Sequence, residues 1–176
     1  MRFTYELGDG FELALRSLDT VEEMHAVTLA NLDRLRQWES WAHDEQTLDG
    51  ALAFTRAQLA EFLAGTVLPT VILAGGAIVG SASLRTNTCT RTAELGYWID
   101  GAHEGRGAVT RACAALLTEV PRRGIRRVEI RTAVENVRSR RVAERLGFRR
   151  EGVLASAAPL GDERLDMAVY GRTFSP

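Results

Sequence analysis

Apolar and polar residues are arranged along the first third of this chain in a pattern that predicts one strand and two helices. Residues 11–15 are a short candidate strand. Residues 20–38 carry their apolar side chains near one stripe, as a helix with one buried face does. Residues 48–63 predict a second helix, and Gly65 is the residue type that commonly ends one.

The remainder of the chain predicts six more strands and two more helices. The pair Gly75-Gly76 predicts a hairpin turn, and Gly147 is suited to the left-handed position that follows a helix. The predicted strands are residues 68–74, 77–85, 93–99, 126–133, 153–157 and 164–170, and the helices start near residue 105 and span 136–146. One mixed α/β domain over residues 1–176 is the expected organisation.

The segment from Ala93 to Arg111, A-E-L-G-Y-W-I-D-G-A-H-E-G-R-G-A-V-T-R, predicts a strand, a glycine-punctuated loop and the start of a helix. Gly105 and Gly107 permit backbone angles that are closed to other residues. Such a loop leaves backbone N–H groups unpaired beside the positive end of the helix dipole, where phosphate commonly binds. Arg106 adds a positive charge there. The loop therefore predicts a ligand or cofactor that carries phosphate.

Two other phosphate-binding motifs do not fit this loop. The dinucleotide fingerprint G-x-G-x-x-G needs a third glycine where the chain has Thr110. The P-loop ending G-K-[ST] is absent from the sequence. The predicted hairpin upstream also argues against a doubly wound sheet.

Composition predicts an ordinary globular protein of the cytoplasm. The 176 residues are 45% hydrophobic and 26% charged, and no stretch approaches about 18 uninterrupted apolar residues. The first ten residues have no long apolar run, so neither a signal peptide nor a membrane partner is expected. Cys89 and Cys113 are expected to be free thiols, and no histidine or cysteine spacing suits a metal.

The charge distribution is uneven, because all 22 basic residues are arginines. Residues 104–150 contain 13 arginines against five glutamates, although the whole chain has a net charge of −1. This surplus would attract a polyanion. Nucleic-acid binding is one alternative, but the region lacks interleaved aromatic residues for stacking bases, which makes that partner unlikely.

Three segments in order, E-L-G-Y-W-I, E-G-R-G-A-V-T-R-A and N-V-R-S-R-R-V-A-E-R-L-G-F, resemble the GNAT superfamily of N-acetyltransferases. With L-R-Q-W-E-S-W near the first helix, the chain is most similar to the branch of ribosomal-protein serine and alanine N-terminal acetyltransferases. The resemblance implies a mixed, mostly antiparallel, splayed sheet with helices on both faces. It also implies acetyl-CoA bound between two parting strands, and transfer of its acetyl group to a primary amine.

The resemblance assigns cofactor-binding positions in this sequence. The pyrophosphate loop of the family corresponds to Glu104, Gly105, Arg106, Gly107, Ala108 and Val109. Glu104 and Val109 depart from the family pattern, and an acid beside phosphate would weaken binding. The strand that holds the pantetheine arm corresponds to Tyr97, Trp98 and Ile99, whose backbone would bind it. Asn136 matches a residue that contacts the cofactor, although a plain helix N-cap is an equally good interpretation.

Two residues are candidates for catalysis. Glu94 lies on an otherwise apolar strand, on the same side as Gly96 and Trp98, where an ionised carboxylate needs water or a partner. Its role stays open between a general base and a structural or substrate-orienting acid. The resemblance places the Ser139 hydroxyl near the thioester sulfur. Because an α-amine has a pKa of about 7.7–8.0, a weak base suffices, and direct attack without an acyl-enzyme is our hypothesis.

The acceptor of the acetyl group is the part of the function that the sequence determines least. Trp38 and Trp41 would either line a substrate pocket or fix a loop to the core. The resemblance favours the N-terminus of a ribosomal protein, whereas the residues alone fit a peptide, an amino acid or an antibiotic equally well. An inactive sensor of acetyl-CoA, a donor larger than acetyl and a possible homodimer also stay open.

Overall fold

The computed structural model describes residues 4–175, which form an eight-stranded sheet with five α-helices. The strands are β1 (Thr4–Gly8), β2 (Phe11–Leu15), β3 (Val67–Ala74), β4 (Ala77–Asn87), β5 (Thr92–Ile99), β6 (Arg127–Ala133), β7 (Arg149–Leu160) and β8 (Glu163–Thr173). The helices are α1 (Val21–Ala30), α2 (Leu32–Leu35), α3 (Leu48–Leu63), α4 (Ala108–Leu117) and α5 (Val137–Arg145). No helix within residues 4–175 is long and apolar enough to cross a membrane.

The sheet opens at its centre. Its strand order is β1-β2-β3-β4-β5-β6-β8-β7, and every neighbouring pair is antiparallel except β5 and β6. These two strands pair only between residues 92–94 and 127–129, after which β5 continues to Ile99 and β6 to Ala133 without pairing. The edge of β5 that faces β6 therefore has backbone N–H and C=O groups free for a ligand.

Helices cover both faces of the sheet. On one face Ala112 and Leu116 of α4, with Ala143 of α5, pack in a cluster that includes Leu95 of β5 and Ile130 of β6. On the other face Met24 of α1 packs against apolar side chains of β3 and β4, with Trp98 at the edge of that cluster. The predicted fold class, a mostly antiparallel splayed sheet between two helical layers, is confirmed.

The single helix predicted over residues 20–38 is wrong, because the segment forms α1 and the one-turn helix α2. They are separated at Asn31, whose backbone leaves the helical region. The Asn31 side chain is buried, donates to the Val27 carbonyl at 2.9 Å and accepts from the Gly101 N–H at 3.0 Å. Asn31 thus stops the helix locally and attaches its end to the loop that follows β5.

The other differences are one strand that was not predicted and the ends of three elements. The strand β1 was not predicted, because only Leu7 of its five residues is buried and the apolar pattern is correspondingly weak. Helix α4 starts at Ala108 rather than near residue 105, since Gly105 and Gly107 both have positive φ. The last two strands are longer than predicted, because the largely exposed β7 has no buried stripe to mark its length.

Candidate functional site

The opening between β5 and β6 is a cleft of about 1130 Å³. Its walls are the unpaired part of β5, the glycine loop before α4, the start of α5 and the turn after α2. The candidate residues that line it are Trp38, Glu94, Tyr97, Trp98, Ile99, Glu104, Gly105, Gly107, Ala108, Val109, Asn136 and Ser139. Trp41 and Arg106 are the two candidates that do not line it.

The glycine loop presents backbone N–H groups to the cleft. Gly105 and Gly107 have φ of 73° and 76°, in the left-handed region that favours glycine. Gly107 is the N-cap of α4, and no side chain caps that end of the helix. The first N–H groups of α4 therefore have no side-chain partner and lie at the positive end of the helix dipole. This arrangement suits a phosphate group.

The expectation that Arg106 adds its charge to this cleft does not match its position. Its guanidinium lies 5.0 Å from the centre of the Phe11 ring, which is completely buried. Arg111 lies over the same ring at 5.5 Å and forms an ion pair with Asp9 at 3.1 Å. Both arginines thus cover an apolar residue on the outer side of the loop through cation–π contacts.

Two other arginines bring positive charge to the loop. Arg34 of α2 and Arg138 of α5 both form hydrogen-bonded ion pairs with the carboxylate of Glu104. All three residues line the cleft. The acidic departure at Glu104 is thereby balanced by two cations, and the trio connects elements on opposite sides of the opening.

Side chains at the start of α5 form hydrogen bonds with each other and with Tyr97 of β5. The Asn136 side chain accepts from the Ser139 N–H at 3.1 Å, so its interpretation as an N-cap is confirmed. The Tyr97 hydroxyl lies 3.0 Å from the Ser139 hydroxyl oxygen and donates to the Ser139 carbonyl at 3.1 Å. Burial raises the pKa of the Tyr97 phenol, which therefore stays protonated and positions Ser139.

Glu94 is the last residue of β5 that pairs with β6. It lies between Arg85 of β4 and Glu129 of β6 in the sheet register. Glu129 forms ion pairs with Arg127 and Arg131, whereas Glu94 has no ion pair or hydrogen-bond partner for its carboxylate within residues 4–175. An exposed, unpaired carboxylate at the base of the cleft is suited to contact an amine or its water.

The side of the cleft next to α2 contains Trp38, which is half-buried and follows that helix. Trp41 is exposed and lies in a turn of 3₁₀-helix outside the cleft, so the structure does not bring the two tryptophans together as pocket walls. The Trp41 indole N–H donates to Glu39 at 3.0 Å, and Glu39 does line the cleft. Burial raises the pKa of the Glu39 carboxyl, and the Trp41 hydrogen bond opposes that shift.

Sequence reasoning did not identify Arg34, Arg138, Glu39 or the phenol of Tyr97 as parts of this site. Glu39 is adjacent to Trp38, so the polar stretch between the tryptophans was a usable signal. Arg138 lies next to Ser139 and could have been found by its position at the start of α5. Arg34 is 70 residues from Glu104, and no local pattern indicates that contact.

Comparison with known proteins agrees with this geometry. The family profile described as an acetyltransferase (GNAT) domain matches residues 12–149. A ribosomal-protein-serine acetyltransferase of Escherichia coli is 28% identical over 174 residues, covering 98% of this chain and 97% of the relative. A Bacillus subtilis protein named as a candidate ribosomal N-acetyltransferase is 30% identical, covering 96% of this chain and 93% of its own length.

A solved structure has the same fold and contains a ligand. The ribosomal L7/L12 α-N-protein acetyltransferase RimL in complex with coenzyme A superposes with a TM-score of 0.92 at 25% identity, covering 98% of each chain.

Proposed function

The chain belongs to the GNAT acetyltransferase family and is an acetyl-CoA-dependent N-acetyltransferase, and we propose that its acceptor is the N-terminal α-amine of a ribosomal protein. One observation carries the choice of acceptor. Both curated relatives that match over nearly their whole length are named for ribosomal proteins. The cleft is compatible with a chain terminus, because its base holds an exposed and unpaired carboxylate, Glu94.

The residues of the cleft fit acetyl-CoA as the acyl donor. The backbone N–H groups at Gly105–Ala108 suit its pyrophosphate, with Arg34 and Arg138 as nearby cations. The unpaired edge of β5 at Tyr97, Trp98 and Ile99 suits an extended amide-containing arm, since its backbone groups have no strand partner on the β6 side. When bound, acetyl-CoA supplies an acetyl group already activated as a thioester.

Glu94 and Ser139 carry the proton chemistry in this proposal. An α-amine is roughly one-fifth neutral near pH 7.3, so Glu94 needs only to accept one proton, directly or through water, as the amine attacks. The Ser139 hydroxyl donates a hydrogen bond to the departing sulfur. That donation requires the Tyr97 proton to turn from the Ser139 carbonyl to the Ser139 hydroxyl oxygen, because each of the two hydroxyls has a single proton.

Direct attack by the amine, without an acyl-enzyme, is supported by the positions of the two cysteines. Neither lines the cleft. Cys113 is completely buried, and its burial raises the pKa of the thiol, which makes it a poor nucleophile. Cys89 lies in the exposed turn between β4 and β5. Positioning of the two substrates therefore accounts for most of the expected rate enhancement, a contribution that can reach about 7–11 kcal/mol.

The test is release of CoA thiol from acetyl-CoA in the presence of different acceptors. Peptides that begin with serine or alanine are compared with N-blocked peptides containing lysine, with free amino acids and with aminoglycosides. We expect turnover with free N-termini that falls by about 100- to 10,000-fold in Glu94→Gln, the range of one positioned proton-transfer group. Glu22→Gln, an exposed change in α1, is the matched control and should keep full activity.

Turnover only with small amines would refute the ribosomal acceptor while leaving the acetyltransferase intact. Turnover that Glu94→Gln leaves unchanged would refute the role of Glu94. Mass spectrometry of an acetylated cysteine formed at a competent rate would refute direct attack.

Two further parts of the proposal concern the surroundings of the enzyme. We place it in the cytoplasm, where ribosomal proteins are available. The two free cysteines agree with this location, because the cytoplasm keeps thiols reduced. A homodimer stays a prediction, and sedimentation at several protein concentrations measures it.

A further inference from the structure

A second, smaller pocket lies at the opposite end of the central strand pair. It has a volume of about 510 Å³ and shares no lining residue with the acetyl-CoA cleft. It is formed where β4 ends, where the turn enters β5 and where the chain enters β6. We call it the basic pocket, and the residues that matter for its chemistry are Thr86, Thr88, Arg91, Arg123, Arg126 and Ser175.

The basic pocket contains three arginines and, within residues 4–175, no acidic side chain. Arg91, Arg123 and Arg126 line it, and none of them forms a side-chain ion pair or hydrogen bond within residues 4–175. Neighbours in sequence behave differently: Arg122 pairs with Glu119 at 3.0 Å, and Arg127 pairs with Glu129 at 2.9 Å. The chain thus neutralises the arginines on either side and leaves those at the pocket uncompensated.

A buried hydroxyl in the same pocket also has no partner. The Oγ1 atom of Thr86 is buried and has no hydrogen-bond partner among the described residues. An unsatisfied buried polar atom is destabilising and is uncommon in folded proteins. Thr86 lines the pocket together with the three guanidiniums, but its Oγ1 atom is not open to the pocket, so the choice of ligand rests on the arginines.

The backbone holds the two sides of the basic pocket together. The Arg91 carbonyl accepts from the Arg126 N–H at 2.8 Å, which fixes two of the three arginine Cα atoms relative to each other. Arg91 itself has a φ of 54°, a left-handed conformation that is unfavourable for a residue other than glycine. The backbone positions of Arg91 and Arg126 at the pocket are therefore set by the fold.

We propose that the basic pocket binds the phosphate monoester of a small molecule. Guanidinium groups match phosphate oxygens in pairs, and three of them with hydroxyl donors exceed what a single carboxylate can use. A nucleic-acid backbone would need cations in a row and aromatic side chains for its bases, whereas these cations share one pocket and no aromatic residue lines it. A compact dianion is the ligand that fits this charge and shape.

The experiment titrates the protein with inorganic phosphate and with ribose 5-phosphate while CoA saturates the cleft, so that the glycine loop is already filled. We expect saturable binding by calorimetry. The double variant Arg123→Ser/Arg126→Ser should weaken it by at least about tenfold, since even one charge-assisted hydrogen bond contributes about that factor.

Arg122→Ser is the matched control, because it removes a neighbouring arginine that already has an acidic partner. It should leave the phosphate affinity within about twofold, in the range of an exposed ion pair. Unchanged CoA binding by every variant confirms that each one is folded. Absence of saturable phosphate binding, or equal binding by the double variant, would overturn the proposal. Salt-dependent binding of a short RNA without binding of either phosphate compound would also overturn it.

Discussion

Replacing Glu104 with glutamine removes the negative charge next to the glycine loop and keeps the shape of the side chain. In the structure that carboxylate is shared by Arg34 and Arg138, and all three residues line the cleft. We expect Glu104→Gln to strengthen binding of acetyl-CoA. The glutamine neither repels the phosphates nor competes with them for the two guanidiniums.

The magnitude follows from Coulomb's law. A phosphate on the backbone N–H groups of the loop lies roughly 8 Å, or about two Cα spacings, from the Glu104 carboxylate. Two unit charges at that distance repel by about 0.5 kcal/mol at the dielectric constant of water and by about 2 kcal/mol at a value near 20. The side chain of Glu104 is 26% exposed, so its surroundings lie between these two dielectric limits. Two phosphate charges then give about 1–4 kcal/mol, and the lower half of that range, which suits a carboxylate in contact with solvent, corresponds to a Kd about 5- to 30-fold lower.

The assay is calorimetric titration of CoA into wild type and Glu104→Gln at low and high salt. The affinity difference should narrow at high salt, because the Debye length falls from about 10 Å at 0.1 M to about 3 Å at 1 M. Glu61→Gln is the matched control, since it also breaks a surface ion pair, with Arg85 at 2.7 Å, but lies outside the cleft. Arg138→Gln should weaken binding by a similar factor.

Weaker or unchanged binding by a folded Glu104→Gln would refute this reasoning. That result would mean that Glu104 holds the two arginines in place for the phosphates and that this ordering outweighs the repulsion.

The remaining predictions concern the cleft as well. Ser139→Ala should lower kcat by about 10- to 100-fold, as expected for one hydrogen bond to developing charge, with little change in CoA affinity by titration. Tyr97→Phe should lower kcat by about three- to tenfold, because Ser139 loses its partner, and a decrease in affinity alone would contradict that role. Burial holds the pKa of Glu39 above its usual 4.5, so the ionised carboxylate destabilises the fold as pH rises through the raised pKa. Glu39→Gln should raise the Tm by about 2 °C at pH 7 and by less at pH 4.5, and an equal rise at both pH values would exclude ionisation as the cause.

The strand β5, the glycine loop and α4 could be predicted from the sequence because their causes are local. The positive φ angles of Gly105 and Gly107 need the residue type found there, and the apolar spacing from Ala108 onward is that of one helical face. Asn136 as the N-cap of α5 is local in the same way, since its side chain reaches a backbone N–H only three residues away. Such features depend on backbone preferences and on contacts within a few residues.

The electrostatics of the cleft were decided by the tertiary structure. From the sequence alone, Arg106 and any other arginine near the loop are equally good candidates to contact the phosphates. Packing of Arg106 on Phe11 turned that charge outward, and the positions of α2 and α5 brought Arg34 and Arg138 to Glu104 instead. The two contacts span 70 and 34 residues, and they form only because both helices lie beside the opening of the sheet. Periodicity determines which side chains are buried, whereas the pairing of charges depends on where separate elements meet.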